Sequence, residues 1–228
     1  MVLCSFTHLY TKNDSSRYNR SMDLLLVDLK KLSVERMEAS FEEEGLMAGI
    51  RLHREYGDDS LVLAAPPSSS VSSSSINSWS MVWHSEVLGH ETYTTTNSDH
   101  GYSLFRLGIK AMVILGRSDR MKYLLLSQDR VEIIASENLR YSTSLSFEEV
   151  AFSSLSDLAL PTGPAADRGV KYSVVQSRGK SIKGLDLGHS FYLHNLKGIV
   201  FPGFPDRPWG KGNVPLKDGE KGKFFKLV

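Results

Sequence analysis

The pattern of apolar and polar positions along the chain contains two similar hairpin signals. An apolar run at 24–27 is followed by a polar turn and by an alternating segment at 34–37. A second apolar run at 123–126 is followed in the same way by a polar turn and by an apolar segment at 131–134. Short runs of this kind, separated by a polar turn, are typical of paired β-strands. We therefore expect a β-hairpin early in each half of the chain.

Both hairpin signals lead into the same tetrapeptide, Ser-Phe-Glu-Glu, at 40–43 and at 146–149. A serine followed three residues later by a glutamate has the spacing of a capping box. In that motif the serine hydroxyl accepts from an early helix N–H and the glutamate accepts from the serine N–H. The repeat therefore predicts helices over 41–56 and over 147 to about 156.

The repeated pattern predicts an α+β fold of mixed or antiparallel sheets with capped helices, duplicated as two similar halves. The halves are expected at 22–110 and 111–203, and a groove or seam is expected between them. Together they form the predicted domain at 22–203. The polar residues 1–21 are expected to form a flexible arm, and residues 204–228, rich in Pro, Gly and Lys, an extended tail.

Between the hairpin signals the pattern predicts three further features. Residues 76–84 alternate as a strand whose aromatic-rich face is expected to lie in the core; its members are Trp79, Met81 and Trp83. The run at 68–75 is almost all serine, so we expect a solvated loop. The stretch at 90–101 reads as a polar connection, and residues 111–135 read as a three-strand meander.

The composition limits the class of protein but says little about its function. The chain has 228 residues, 41% of them hydrophobic, and a net charge of +1. That balance gives no reason to expect binding to nucleic acid or to an anionic membrane. No apolar run approaches the roughly 20 residues of a transmembrane helix, and no signal pattern opens the chain, so a cytoplasmic protein is expected. The single cysteine, Cys4, excludes an iron–sulfur cluster held by this chain alone, and we expect no role for it.

Residue types of a catalytic site occur, but not in a catalytic arrangement. Ser98, Asp99 and His100 are adjacent, whereas hydrolase triads are assembled from distant segments. The histidines at 84, 90, 100 and 189 show no recognised metal-ligand spacing. The chain contains neither a Gly-x-Ser-x-Gly elbow nor a phosphate-binding loop of the Walker type. We therefore assign no catalytic residue and no metal ligand.

Several segments, in order and at similar spacing, resemble one family. They are Leu24–Val27, Arg106–Gly116, Tyr123–Ile134, Gly163–Ala166 and Asn195–Val200. The chain resembles, over about 22–203, the N-terminal domain of aldehyde ferredoxin oxidoreductases, which are tungsten- or molybdenum-bispterin enzymes. The resemblance implies a duplicated α+β domain that forms the base on which the metal-bispterin sits. In that family the cluster cysteines and most of the substrate pocket belong to later domains.

The stretches that contact the cofactor in that family are altered here. The family's Gly-Gly-Arg-Gly-Leu appears as Glu44–Ala48, and an arginine and a lysine on one strand appear as Ser78 and His84. The Asn-Ser-Gly-Gly loop has its counterpart in Asn97–His100, and Arg-Ala-Ala-Gly-Arg-Gly-Gly-Leu-Gly reads Lys180–Gly188. The candidate cofactor-binding residues that the resemblance implies are His84, Asn97, Ser98, Lys180, Ser181, Lys183, Gly184 and Gly188.

The chemistry of these changes works against tight phosphate binding. Pterin pyrophosphates carry several negative charges, which arginine forks and glycine N–H groups suit well. Here two arginines are absent and two carboxylates, Asp99 and Asp186, are present. Lys180, Lys183 and His84 retain some positive charge. A bound tungsten- or molybdenum-bispterin is therefore possible by resemblance, but the chain does not firmly imply any cofactor.

Three functions remain open at this stage. The first is an accessory or structural subunit without catalytic activity of its own, which pairs with a larger oxidoreductase subunit or with a second copy of itself. The second is a metal-bispterin-binding subunit of a split redox enzyme, whose other domains come from a separate chain. The third is a small-molecule or anion-binding module that uses the groove between the halves, with Lys180, Lys183 and Asn97.

Overall fold

The computed structural model of the protein describes residues 22–67, 77–152 and 157–204. The predicted arm, Cys4, the serine-rich run and the predicted tail from residue 205 onward lie outside these ranges. The fold below is that of the described residues.

The first sheet has six strands in the order β2-β1-β6-β3-β4-β5. Its elements, in chain order, are β1 (Asp23–Asp28), β2 (Ser33–Glu38), α1 (Gly45–Tyr56), β3 (Ser60–Ala64), β4 (Ser78–Ser85), β5 (His90–Asn97), α2 (Asp99–Arg106) and β6 (Ile109–Leu115). Strands β1 and β6 run parallel, and every other neighbouring pair is antiparallel. The sheet is therefore mixed, with its only parallel pair away from both edges.

The second sheet has four strands in the order β8-β7-β12-β9. Its elements and their neighbours are β7 (Lys122–Leu126), β8 (Val131–Ala135), α3 (Ser144–Ala151), β9 (Leu158–Pro161), α4 (Pro164–Asp167), β10 (Gln176–Ser177), β11 (Lys180–Ser181), α5 (Leu187–Leu193) and β12 (Leu196–Phe201). Strands β7 and β12 are parallel, and the other pairs are antiparallel. Strands β10 and β11 form a separate two-stranded hairpin.

The two sheets follow a common scheme. Each starts with a hairpin (β1–β2, β7–β8) and a helix, and each ends with a strand that follows a helix (β6, β12). That last strand lies between the first strand, which it pairs in parallel, and the strand after the first helix, which it pairs antiparallel. The predicted α+β fold with mixed sheets is confirmed. The common scheme is what a duplication would produce, but the duplication itself stays a prediction.

The sheets pack face to face with a helix on each outer side. The central core contains residues of both sheets and of the two helices α2 and α5. Helix α1 packs on the outer face of the first sheet, and α3 packs on the outer face of the second. Trp79, Met81 and Trp83 lie in the central core, as their alternation in the sequence predicts. None of the described helices is long and apolar enough to cross a lipid bilayer.

The predicted capping boxes are wrong in both halves. Helix α1 begins at Gly45, and Glu44 at its N-cap position makes no side-chain capping bond. The first Ser-Phe-Glu-Glu therefore precedes the helix, and its Phe41 is buried against α1. Helix α3 begins at Ser144, because Thr143 is the N-cap and its side chain accepts from the N–H of Ser146. The second copy of the tetrapeptide therefore lies inside its helix.

Two further expectations about strands are wrong. Residues 111–115 do not start a meander, because they belong to β6, which is inserted between β1 and β3 of the first sheet. The predicted division at residue 110 falls inside this strand. The polar stretch at 90–101 contains β5, whose run of threonines suits an edge strand with one side open to water.

A lysine near the start of the last strand of each sheet donates to a carbonyl in the loop before a helix. The ammonium of Lys110 in β6 donates to the carbonyl of Phe41, just before α1. The ammonium of Lys197 in β12 donates to the carbonyl of Ser142, just before α3, at 3.0 Å. These two contacts tie each helix to its own sheet in the same way.

Lys197 differs from Lys110 because it also forms a buried ion pair. Its Nζ lies 2.7 Å from Oδ2 of Asp167, and the two side chains are 0% and 2% exposed. The same carboxylate oxygen accepts from the N–H of Tyr141 at 2.6 Å. Burial lowers the pKa of Lys197, and the bond to Asp167 opposes that shift. Breaking such a pair leaves a buried charge uncompensated, which costs far more than losing an exposed pair.

We expect Lys197→Met to lower the free energy of unfolding by about 3–5 kcal/mol, because Asp167 would lose its cation. The matched control, Lys110→Met, removes a bond to the Phe41 carbonyl and a cation–π contact with the Phe41 ring but no ion pair, and we expect it to cost about 1–2 kcal/mol. Urea unfolding, monitored by circular dichroism, measures the free energy of unfolding of both variants. Equal losses in the two variants would contradict the special weight given to the Lys197–Asp167 pair.

Candidate functional site

Two of the segments that the resemblance marks as cofactor contacts meet at the start of β4, and Arg178, just before a third marked segment, contacts one of them. Ser78, at the start of β4, pairs with Asn97 at the end of β5. Asn97 leads directly into α2, and the carboxylate of Asp99 on that helix lies 3.8 Å from Nη1 of Arg178 on the β10–β11 hairpin. The fold therefore brings the Asn97–Asp99 junction close to the basic hairpin, and a shared binding site there stays a prediction.

The basic hairpin presents its cations to solvent. Arg178 and Gly179 form its two-residue turn, with φ of 47° and 73°. Positive φ at both central positions matches the twist of paired strands, and glycine adopts it without strain. Ile182, just beyond the hairpin, is buried in the central core and anchors this segment. The exposed polar residues of the segment are Lys180, Ser181 and Lys183.

Ser98 is committed to a buried chain of hydrogen bonds. The indole N–H of Trp79 donates to Oγ of Ser98 at 2.7 Å, and Oγ lies 3.0 Å from Nδ1 of His100. On the other side of the ring, Nε2 of His100 lies 3.1 Å from the carbonyl of Ala159 in β9. A carbonyl can only accept, so Nε2 carries the proton and Nδ1 accepts from the serine hydroxyl. The chain of bonds crosses from the first sheet to the second.

Gly184 and Gly188 serve close packing. A Cβ on Gly184 would lie 3.0 Å from the ring of Trp83, and one on Gly188 would lie 2.7 Å from the carbonyl carbon of Ser173. The N–H of Gly188 donates to the carbonyl of Ser173 at 3.0 Å. This glycine N–H is therefore not free to bind a phosphate.

Asp186 is the residue whose role sequence reasoning missed. Asp186 is only 2% exposed, and its backbone φ is 55°. One carboxylate oxygen accepts from the indole N–H of Trp83 at 2.9 Å. The other accepts from the hydroxyl of Ser85 at 2.8 Å and from the N–H of Val87 at 3.1 Å. We call these three donors the Asp186 cradle. No local pattern signals it, because its partners are 99 to 103 residues away.

His84 lies apart from the other candidates. It is six residues along β4 from Ser78, which corresponds to about 20 Å of extended strand. Because side chains alternate along a strand, it also points to the face opposite Trp83. Its Nδ1 lies 3.3 Å from the exposed carboxylate of Asp58. The structure therefore does not place His84 with the basic hairpin.

Cations and anions are mixed where the three segments meet. Lys180 and Lys183 are exposed, and Arg178 is shared with Asp99. Within the described ranges, no three side chains of His, Cys, Asp or Glu are grouped as a metal ion would require. The arrangement can attract a small anion weakly, and it contains no arginine fork directed at a common point.

Burial strongly affects His100. Removal from water lowers its pKa to about 4, although the bond to the Ala159 carbonyl opposes the shift. Arg178 also lowers the pKa and Asp99 raises it, each by a smaller amount. The neutral ring is therefore the form that the fold stabilises.

Comparisons with known proteins give a family and a fold. A family model described as "Aldehyde ferredoxin oxidoreductase, N-terminal domain" matches residues 24–203. Among solved structures, "Active site complex BamBC of Benzoyl Coenzyme A reductase in complex with 1,5 Dienoyl-CoA" matches with a TM-score of 0.73 and 18% identity. The match covers 80% of this chain but only 31% of that chain. No curated protein matches the chain. At this identity the structural likeness shows the fold alone.

We expect His100 to make the fold sensitive to acid. Its pKa is about 4 in the folded chain and 6.5 when unperturbed. The stability that the neutral ring provides is therefore fully present above pH 6.5 and is lost as the pH falls towards 4. At 1.36 kcal/mol for each pKa unit, the loss is about 3 kcal/mol. Urea unfolding at pH 7 and pH 4 measures the total loss, to which His53 and His194 also contribute because burial lowers the pKa of each.

The variant His100→Gln should show a smaller difference in stability between these two pH values than the unchanged protein. His90→Gln, on the exposed end of β5, is the control and should leave the difference unaltered. If the His100 variant loses as much stability on acidification as the unchanged protein, the assigned titration is wrong.

Proposed function

Since the chain belongs to the aldehyde ferredoxin oxidoreductase N-terminal domain family, we propose that it is an oxidoreductase-derived scaffold without catalytic activity of its own. It works in the cytoplasm by pairing with a larger oxidoreductase subunit or with a second copy of itself. Its contribution is a rigid two-sheet platform and not a bound cofactor.

The observation that carries this proposal is the buried carboxylate of Asp186. It lies within residues 180–188, which resemble a glycine- and arginine-rich cofactor contact of the family. When residues 180–188 are aligned with the family's nine-residue motif, position 186 corresponds to a glycine of that motif. Here the position holds an anion of its own, bonded to the indole of Trp83, the hydroxyl of Ser85 and the N–H of Val87. A negative cofactor group would be repelled by this carboxylate.

The remaining candidate residues do not fit a bispterin either. Two pyrophosphates need several convergent N–H donors and fixed cations. Ser98 and the N–H of Gly188 are already engaged within the protein. Lys180 on the hairpin and Lys183 just beyond it are exposed, so their long side chains are free to move and solvent screens their charge. We therefore derive no chemical step through a metal-bispterin for this chain.

A protein partner is supported by two observations. The solved structure that the chain resembles is described as a complex, BamBC, and the chain spans 31% of the matching chain. On this protein, large apolar side chains in or beside α3 are more than half exposed: Tyr141 at 51%, Leu145 at 65% and Val150 at 61%. A partner that packs against α3 would remove these side chains from water, which is favourable.

A second candidate function is a subunit of a split redox enzyme that still binds a metal-bispterin, or a simple anion-binding module. The observation that favours it is the convergence of Asn97, Asp99 and Arg178 at one place, beside the exposed Lys180 and Lys183. These cations could hold an anion without the arginine forks, but only weakly. Metal content separates this candidate from the scaffold.

We expect protein purified without oxygen, from cells supplied with tungstate and molybdate, to contain far less than one tungsten or molybdenum atom per chain. We also expect it to release no pterin on denaturation. Elemental mass spectrometry and fluorescence of released pterin are the measurements. Circular dichroism confirms that the sample is folded.

A full-length enzyme of the same family, produced and purified in the same cells, is the positive control, and it must carry metal and pterin. If the enzyme is loaded and the scaffold is empty, the scaffold function is supported. Near-stoichiometric metal in this chain would contradict it and would favour the split redox enzyme.

A further inference from the structure

The Asp186 cradle is built entirely by the first half of the protein, whereas its occupant comes from the second. Trp83 and Ser85 belong to β4, and Val87 lies in the turn between β4 and β5. Asp186 lies directly before α5. Folding alone brings the cradle and the carboxylate together. Their hydrogen bonds are among the polar contacts between the first and second halves of the chain.

The three donors are directed at one small volume with little access to water. Trp83 and Ser85 are each 0% exposed, so neither has solvent as an alternative partner. A buried donor without an acceptor costs about 1–3 kcal/mol. If the carboxylate were absent, the cradle would therefore retain two unpaired buried donors and a third at its edge, all facing the same point.

The backbone of Asp186 indicates that the side chain has a specific role. Its φ of 55° lies in the left-handed region, which costs most residues about 1–2 kcal/mol and which glycine adopts freely. Aspartate visits this region more readily than most residues because its short side chain can bond locally. The Asp186 carboxylate bonds instead to donors about a hundred residues earlier in the chain.

We infer that the Asp186 cradle is a carboxylate-binding site in its own right, with Asp186 as its tethered ligand, and that it binds a free carboxylate when this side chain is removed. The inference concerns the cradle alone and does not depend on whether the protein pairs with a larger subunit.

The donor pattern defines the class of ligand. One oxygen receives one bond and the other receives two, which suits a small planar carboxylate such as formate or acetate. No cation bonds to the Asp186 carboxylate among the described residues, and the carboxylate of Glu86 follows Ser85 in the chain. Glu86 is engaged with His189 at 3.1 Å and Lys171 at 3.7 Å. A singly charged anion is therefore favoured over a phosphate.

The test is the variant Asp186→Gly, which removes the ligand and keeps a backbone that accepts a positive φ. We expect its melting temperature to fall by several degrees relative to the unchanged protein. Sodium formate or acetate should then raise it along a saturable curve with a half-point in the millimolar range. The unchanged protein should show no saturable response, because its cradle is occupied.

Four comparisons control the interpretation of this result. Sodium chloride at equal ionic strength must not reproduce the rise, and Asp59→Gly, at an exposed aspartate, must show no formate response. Adding Trp83→Phe to Asp186→Gly removes one donor and should weaken the formate effect several-fold. Sodium phosphate tests the other anion class, and a phosphate effect stronger than the formate effect would overturn the assignment to carboxylates.

If Asp186→Gly does not fold in plain buffer, it is refolded from urea with formate or with chloride. Native circular dichroism only with formate supports the site. A variant that folds without any saturable formate effect overturns the inference, and so does one that fails to fold under both conditions.

Discussion

The central constraint in this structure is that two buried tryptophans on one strand must each find a hydrogen-bond acceptor. Trp79 and Trp83 of β4 are 1% and 0% exposed, and both lie between the two sheets. An indole N–H left unpaired there would cost about 1–3 kcal/mol. The acceptors are Ser98, at the start of α2, and Asp186, at the start of α5. The need to satisfy two donors therefore helps to set where two helices begin and how the halves meet.

The same constraint bears on function, because it uses groups that a cofactor would need. Ser98 belongs to one stretch that the family resemblance marks as a cofactor contact, and Asp186 belongs to another. Both side chains bond to β4, and Gly188 packs its backbone against Ser173. Polar groups that are satisfied inside the protein have little to gain from a ligand. This arrangement is the basis of the scaffold role that we propose.

Much of the fold could be predicted, with errors at particular places. Both hairpins and the buried face of β4 follow from periodicity, since alternation directly reports which side chains face a core. The helix starts were wrong because Phe41 is buried against α1 before that helix begins, and because Thr143 caps α3 ahead of the expected serine. Strand β5 was missed because an edge strand exposed to water needs no apolar alternation. Of the candidate site, Asp99 beside Asn97 contacts the basic hairpin, whereas His84 lies at the other end of β4, and a binding role for these residues stays a prediction.

The sequence by itself determined the two hairpins, the buried face of β4 and the family of the chain, and its single cysteine excludes a cluster held by this chain alone. These depend on the order and type of neighbouring residues, which a linear pattern contains. Only the tertiary structure decided that β6 is inserted between β1 and β3, and that the carboxylate of Asp186 is held by donors about a hundred residues earlier in the chain. Hydrogen bonds between distant residues depend on where folding places both partners, and no local periodicity carries that information.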